Sequence, residues 1–187
     1  AIMKKLVLLL SLTAVSAFAQ QYPGKPVRFV LPFGAPGGAP DIVARLMAPK
    51  LTDVWGQQVV VEPRVGAGGT IGSEAVANSA PDGYTILLTS PSHAINVSLY
   101  SKLPYNTVKD FAGVTLIADV PNVLLTTPSL GLKTVKDLVD LVKSKPGALN
   151  YGSAGVGSGT HMNGEQFKLA TGINVVHVPF KGTPEAI

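Results

Sequence analysis

Val27-Arg28-Phe29-Val30-Leu31-Pro32-Phe33-Gly34-Ala35-Pro36-Gly37-Gly38-Ala39-Pro40-Asp41, running on into Ile42-Val43-Ala44-Arg45-Leu46, is the stretch whose reading decides the fold. It opens as a short apolar run rich in β-branched and aromatic residues, the pattern of a buried strand. It then breaks into a Gly/Pro loop with no bulky side chain after Phe33. Beyond the loop, Ile42, Val43, Leu46, Met47, Leu51, Val54 and Trp55 recur at helical spacing and are expected to form one buried face. Pro49 falls inside this pattern and is expected to kink the helix. A strand, a glycine loop and a helix start, in that order, make an anion site. The first helical N–H groups lack internal partners, the dipole favours negative charge there, and glycines let a ligand approach the backbone. An ordinary βα turn would look the same, but the arrangement recurs twice further along.

The pattern after that stretch alternates. Residues 58–62 read as a second strand, Pro63-Arg64-Val65-Gly66-Ala67-Gly68-Gly69 as a second glycine loop, and 70–78 as a helix. Pro81-Asp82-Gly83 is a turn by its chemistry, and 84–89 a third strand, followed by Ser90-Pro91-Ser92-His93-Ala94-Ile95-Asn96. Strands alternating with helices argue a parallel sheet with ligands at the carboxyl ends of the strands. Residues 114–118 and 123–127 are two short strand candidates, spaced as a crossing between lobes. Thr134 caps a helix carrying Val135, Leu138, Val139 and Val142. Residues 149–151 then form a strand, and Gly152-Ser153-Ala154-Gly155-Val156-Gly157-Ser158-Gly159-Thr160-His161 a third glycine loop opening a helix that ends at Gly172. Residues 174–179 read as a strand, with a helix expected to start at Pro184.

Composition narrows the class. Apolar residues make up 46% and charged residues 14% of the 187, a globular balance. The formal charge is +4, with Lys4 and Lys5 supplying two of those charges, and no basic stripe argues for nucleic acid. Lys4-Lys5, an apolar run over 6–15 and Ala17-Phe18-Ala19 read as a secretory signal cleaved after Ala19. The apolar run is too short for a span of about 20 residues, so the mature chain is not expected to be membrane-embedded. There are no cysteines, so an exported chain would rest on its core. A periplasmic protein fits better than a small disulfide-stapled domain.

Catalytic motifs fail in turn. Gly66-x-Gly68 hints at a dinucleotide fingerprint, but Ile71 stands where a glycine belongs, and no acidic strand end follows. No serine sits in a G-x-S-x-G elbow. His93, His161 and His177 are scattered away from metal-ligand spacing. His177 reads as structural, and His161, at a helix head beside Ser158 and Thr160, as the histidine placed to meet a ligand.

The stretches Pro32-Phe33 with Pro36-Gly37-Gly38 and Asp41, Val60-Val61-Glu62 with Gly66-Ala67-Gly68-Gly69, Ala80-Pro81-Asp82-Gly83-Tyr84-Thr85, His93-Ala94-Ile95-Asn96, Lys109-Asp110-Phe111, Asn150-Tyr151-Gly152-Ser153-Ala154-Gly155 and His177-Val178-Pro179 follow one another in a familiar order. Together they resemble the Bug family, the periplasmic substrate-binding proteins of tripartite tricarboxylate transporters. The resemblance implies an α/β, two-lobed, type II periplasmic-binding-protein-like fold with mainly parallel sheets flanked by helices, truncated here at the C-terminus. The expected division is a signal peptide at 1–19, a first lobe at 20–120 and an incomplete second lobe at 121–187. It implies a non-enzymatic receptor for a small carboxylate, working with the membrane components of such a transporter, without cofactor or metal. The alternatives are a secreted α/β enzyme and a nucleotide-binding module. Ligand contacts are expected from Phe33, Pro36, Gly37, Gly38, Ala39, Asp41, Ser90, Ser92 and His93 on one side. From the other side come Ser153, Gly155, Gly157, Ser158, Gly159, Thr160 and His161. Two features depart from the family pattern: the first loop is one residue longer, and Pro40 replaces a hydroxyl residue.

Overall fold

The computed structural model describes residues 22–33 and 37–187. The signal segment expected at 1–19 and the expected ligand contact Pro36 lie outside the described residues. Strand β1 (Val27–Leu31) is the centre of the first sheet, because four of its five residues are buried. Such a strand, covered on both faces, reads as a continuous apolar run instead of an alternating one. It pairs in parallel with β2 (Val59–Pro63) on one edge and β3 (Thr85–Leu87) on the other, in the order β2-β1-β3. Val27, Phe29, Ala48 and Val59 form one core cluster, and Leu31, Ala44 and Leu88 a second.

Helix α1 (Ala39–Trp55) forms where the spacing places it, but with a different buried face. Ile42, Leu46 and Val54 are 49%, 63% and 79% exposed, while Asp41, Ala44 and Ala48 are the buried positions. Two alanines on that stripe let the helix lie close to the sheet, and Met47, Leu51 and Trp55 fill the flank. Large residues on the other side stay outside for want of anything to pack on. The helix runs through Pro49 to Trp55 and stops at left-handed Gly56.

The second loop tightens into a 3-10 turn (Ala67–Gly69) before helix α2 (Thr70–Ala77). A short helix, α3 (Ser92–Leu99), follows β3, in a stretch to which the sequence reading assigned no element. The two strands expected at 114–118 and 123–127 do not form. Val114, Leu116, Val123 and Leu125 are all exposed. An apolar, β-branched run becomes a strand only beside another strand's edge, and none of the described strands lies there.

Helix α4 (Val135–Ser144) starts on a complete capping box: Thr134 accepts from the Asp137 N–H, and Asp137 accepts from the Thr134 N–H. Strands β4 (Asn150–Ser153) and β5 (Val176–Pro179) pair in parallel as a second sheet. Between them runs helix α5 (Gly159–Thr171), capped by Ser158 and ended by left-handed Gly172. A one-turn helix α6 (Thr183–Ala186) begins with Pro184 in its first turn.

Helix α2 reaches the first sheet through Gly72, where an added Cβ would lie 2.7 Å from the Arg64 carbonyl oxygen and 2.8 Å from Pro32 Cα. Backbone cannot swing aside as a side chain can, so Gly72→Ala should lift the helix and cost about 1–3 kcal/mol. At about 2–4 °C per kcal/mol for a chain of this size, thermal unfolding followed by circular dichroism would read the loss. An unchanged midpoint would show that the helix slides without cost.

Candidate functional site

The start of α1 is the first half of the site. Gly38 is its N-cap in an extended conformation, and the Ile42 N–H makes the first helical bond, to the Gly38 carbonyl. Pro40 contributes no N–H, so the first turn offers fewer free donors than usual. Asp41 is buried, and both its oxygens are engaged: Oδ2 accepts from the Gly37 N–H at 3.1 Å and Oδ1 from Arg45 Nε at 2.8 Å. The Arg45 hydrogen bond first, then the Gly37 N–H, hold its carboxyl below the usual range. Asp41 thus pins the loop at Gly37, and Arg45 offsets the carboxylate. Phe33 lies over the second glycine loop, so close that a side chain at Gly69 would fall inside its ring. Gly38 is buried and Ala39 half-buried at the helix mouth.

At the head of α3, Ser90 Oγ donates to buried Ser92 Oγ at 3.1 Å. His93 packs inward: its Nδ1 lies 3.3 Å from Ser73 Oγ, and its ring is stacked on Tyr105 and meets Phe111 edge-on. Burial pushes its pKa down.

The loop between β4 and α5 is the second half, and its hydroxyls bind one another and the backbone. Ser158 Oγ accepts from the His161 N–H at 3.2 Å, Thr160 Oγ1 accepts from the Ala154 N–H at 3.0 Å, and the two oxygens are 3.0 Å apart. One hydroxyl must donate to the other, so the pair keeps a single O–H proton free for a ligand. The Gly157 N–H donates to His161 Nδ1 at 3.2 Å, which requires that nitrogen to be unprotonated. The Gly155 N–H donates to Ser153 Oγ at 3.1 Å, and Gly159 begins the helix.

Behind this loop stands a stack. The His161 and His177 rings are 4.1 Å apart and nearly parallel, with Tyr151 on the far side of His177 at 4.9 Å. Tyr151 Oη donates to Glu165 Oε1 at 2.6 Å, and Lys168 pairs with the same carboxylate. Burial, then the Glu165 hydrogen bond, push the Tyr151 phenol up. Ser153 Oγ lies 2.6 Å from His177 Nε2, a pairing the sequence reading did not find. Ser153 is 1% exposed and also accepts the Gly155 N–H, and among the described residues no carboxylate hydrogen-bonds the His177 ring. That geometry shapes a loop; it does not present a nucleophile.

The second glycine loop and α3 meet the loop between β4 and α5 at a seam. Fully buried Asn96 on α3 donates from Nδ2 to the Gly68 carbonyl at 2.8 Å, and its Oδ1 lies against Gly157. Tyr100 Oη and the Val156 carbonyl both crowd Gly68, and Asn122 Nδ2 lies near Gly159 at the start of α5. None of Asn96, Tyr100 and Asn122 was among the expected contacts. Asn96 stood in a quoted motif, but only the meeting of the loops reveals its position.

The arrangement offers helix N-termini, loop N–H groups and a free hydroxyl proton, a set suited to holding an anion without a facing cation. Among the described residues no group of His, Cys, Asp or Glu side chains is placed to hold a metal ion, and no helix is long and apolar enough to cross a membrane.

Comparison with known proteins agrees in kind. The family described as "Tripartite tricarboxylate transporter family receptor" matches residues 43–187. Protein BugT of Bordetella pertussis is 41% identical over 176 residues, covering 93% of this chain and 54% of that protein. An R. palustris protein solved with adipate superposes with a TM-score of 0.84 at 38% identity, over 88% of this chain and 55% of that one. MatC from Rhodopseudomonas palustris with bound malate gives 0.78 at 33% identity, over 88% of this chain and 56% of that one. The chain thus spans about half the length of the relatives it matches. Its α/β architecture of parallel sheets and helices is that of periplasmic binding proteins.

His93 and His177 carry a pH signature. Burial lowers both pKa values from 6.5, and His161 lowers that of His177 further. A base that resists protonation in the fold contributes stability that is complete above its ordinary pKa and declines as pH falls through that value toward the lowered one. The lowered carboxyls of Asp41 and Glu165 act in the same direction, but only below their ordinary 3.8 and 4.5. The unfolding midpoint should therefore drop between about pH 7 and pH 5, in the imidazole range. The double variant His93→Gln, His177→Gln should flatten that part of the profile and keep the acid fall. An unaltered profile would mean that both rings titrate normally.

Proposed function

The chain belongs to the tripartite tricarboxylate transporter receptor family, and from that premise we propose a periplasmic solute-binding receptor that captures a small carboxylate for such a transporter. The observation that carries the reading is the meeting of two glycine loops at one seam, the loop that runs into α2 and the loop that runs into α5, with Phe33 from the first loop covering the former. A carboxylate held between the first loop and the loop before α5 would face the positive ends of α1 and α5. The relatives solved with adipate and malate supply the ligand class, an aliphatic organic acid. In this reading residues 1–19 are a signal peptide, 20–120 belong to a first lobe and 121–187 to a second. The ligand is captured and released unchanged, and handed to the transporter's membrane components.

Neutralisation by dipoles suits a receptor that must also let go. A buried ion pair would carry a large desolvation cost and bind through one dominant contact. Several N–H groups distribute the charge and separate together when the lobes part. The competing reading, a secreted enzyme, rests on the Ser153–His177 contact, which lacks an orienting carboxylate.

Two measurements test the proposal. Thermal-shift screening of the full-length protein against aliphatic mono- and dicarboxylates, nucleotides and esters should show stabilisation by carboxylates alone, of about 2.7 kcal/mol at a hundredfold excess over Kd. Turnover of any compound would overturn the receptor reading. Ser158→Ala and Thr160→Ala should each weaken carboxylate binding about tenfold, or ~1.4 kcal/mol, because the first removes the acceptor of the His161 N–H and the second that of the Ala154 N–H, and either loosens the loop that frames the ligand. Wild-type affinity in both would reduce the loop between β4 and α5 to a turn.

A further inference from the structure

Asn96 has one atom that nothing described so far explains. Its Nδ2–H is satisfied by the Gly68 carbonyl, but Oδ1, in a fully buried residue, has no hydrogen-bond partner among the described residues. A buried acceptor left unpaired is costly, so its place should bring a return elsewhere in the molecule. What faces it is Gly157, whose N–H already goes to His161 Nδ1, leaving only the Cα hydrogens toward the amide oxygen.

The fit is close. A Cβ at Gly157 would stand 3.0 Å from Asn96 Oδ1 and 3.0 Å from Leu99 Cδ1, both on α3. One residue away, the Val156 carbonyl would stand 3.2 Å from a Cβ at Gly68, the residue whose carbonyl Asn96 holds. Asn96 therefore grips the second glycine loop, the one the Phe33 ring covers, by a hydrogen bond and abuts the loop between β4 and α5 by contact.

We propose that Asn96 is a positioning residue for ligand capture: a spacer that sets the distance between the two glycine loops, with Gly157 as its socket. The inference rests on the carboxylate-receptor reading and adds to it the part that sets the gap. Capture by helix ends demands such a part, because the dipole's attraction fades within the first turn. Loops held a few tenths of an ångström too far apart would leave the anion with one half-site instead of two.

The test uses the full-length protein and a panel of aliphatic carboxylates that includes adipate and malate. Gly157→Ala is compared with Gly172→Ala. Both glycines are left-handed, at φ +78° and +67°, but nothing lies within 4 Å of a Cβ at Gly172. Both variants therefore carry the same kind of backbone strain, and only the first fills the socket. Gly157→Ala should weaken binding at least tenfold through a faster koff with little change in kon, while Gly172→Ala stays within twofold of wild type. Adding Asn96→Ala to Gly157→Ala should recover part of the loss, since the methyl then has room. Should Gly157→Ala fail to fold, Asn96→Ala alone, which empties the spacer, should still raise koff and leave kon unchanged. If wild type binds no carboxylate, the receptor reading falls and the positioning role falls with it. If wild type binds and Gly157→Ala binds equally well, or its loss simply adds to that of Asn96→Ala, the positioning role alone falls.

Discussion

The close approach of backbone to side chain at positions without a Cβ is the constraint on which the rest of this structure depends. Helix α2 sits on the first sheet because Gly72 lets it touch Pro32 and the Arg64 carbonyl. The Phe33 ring covers the second loop because Gly69 leaves it room, and the seam exists because Gly157 accepts Asn96 and Leu99 at contact distance. Each contact joins a strand end to a loop that the same strand order already brings near. The result is a pair of loops whose positions are fixed by packing instead of by long side chains.

Electrostatics follows from that choice. The chain has few charges, and the one buried carboxylate among the described residues, Asp41, is tied to Arg45 and to the Gly37 N–H. That carboxylate partly fills the positive end of α1 from within the protein. The balance available to a ligand then comes from the N-terminus of α5 and the hydroxyl pair that heads it. Arg45, on an exposed face, belongs to this balance through Asp41. The histidines contribute as shape: His177 and His161 stack behind the loop between β4 and α5 and hold it through Ser153 and Gly157.

The buried face of α1 shows where periodicity misleads. Large apolar residues at helical spacing suggested one stripe, but the sheet selected the alanine stripe, because small side chains bring the helix axis close and admit Met47, Leu51 and Trp55 at the edge. The segment at 112–127 shows the reverse case. Its residues have strand character, yet β structure needs a neighbour, and none of the described strands offers an edge there. Helix α3 was not legible because Ser90, Pro91 and Ser92 look like turn chemistry until the downstream turn closes on Asn96.

The sequence by itself determined the alternation of strands, glycine loops and helices in both sheets, the cap at Thr134 and the stop at Gly172, and the parallel pairing that places the loops at strand ends. It could do so because these are local matters of period, capping and turn chemistry. The tertiary structure alone decided which groups remain free: Ser92 bonds Ser90, His93 packs on aromatic rings, and Ser158 with Thr160 keep one proton between them. It alone placed Asn96 between Gly68 and Gly157, three residues far apart in the chain. A hydrogen bond or a contact across such distances is a property of geometry, and no spacing along one chain encodes which oxygen will find which hydrogen.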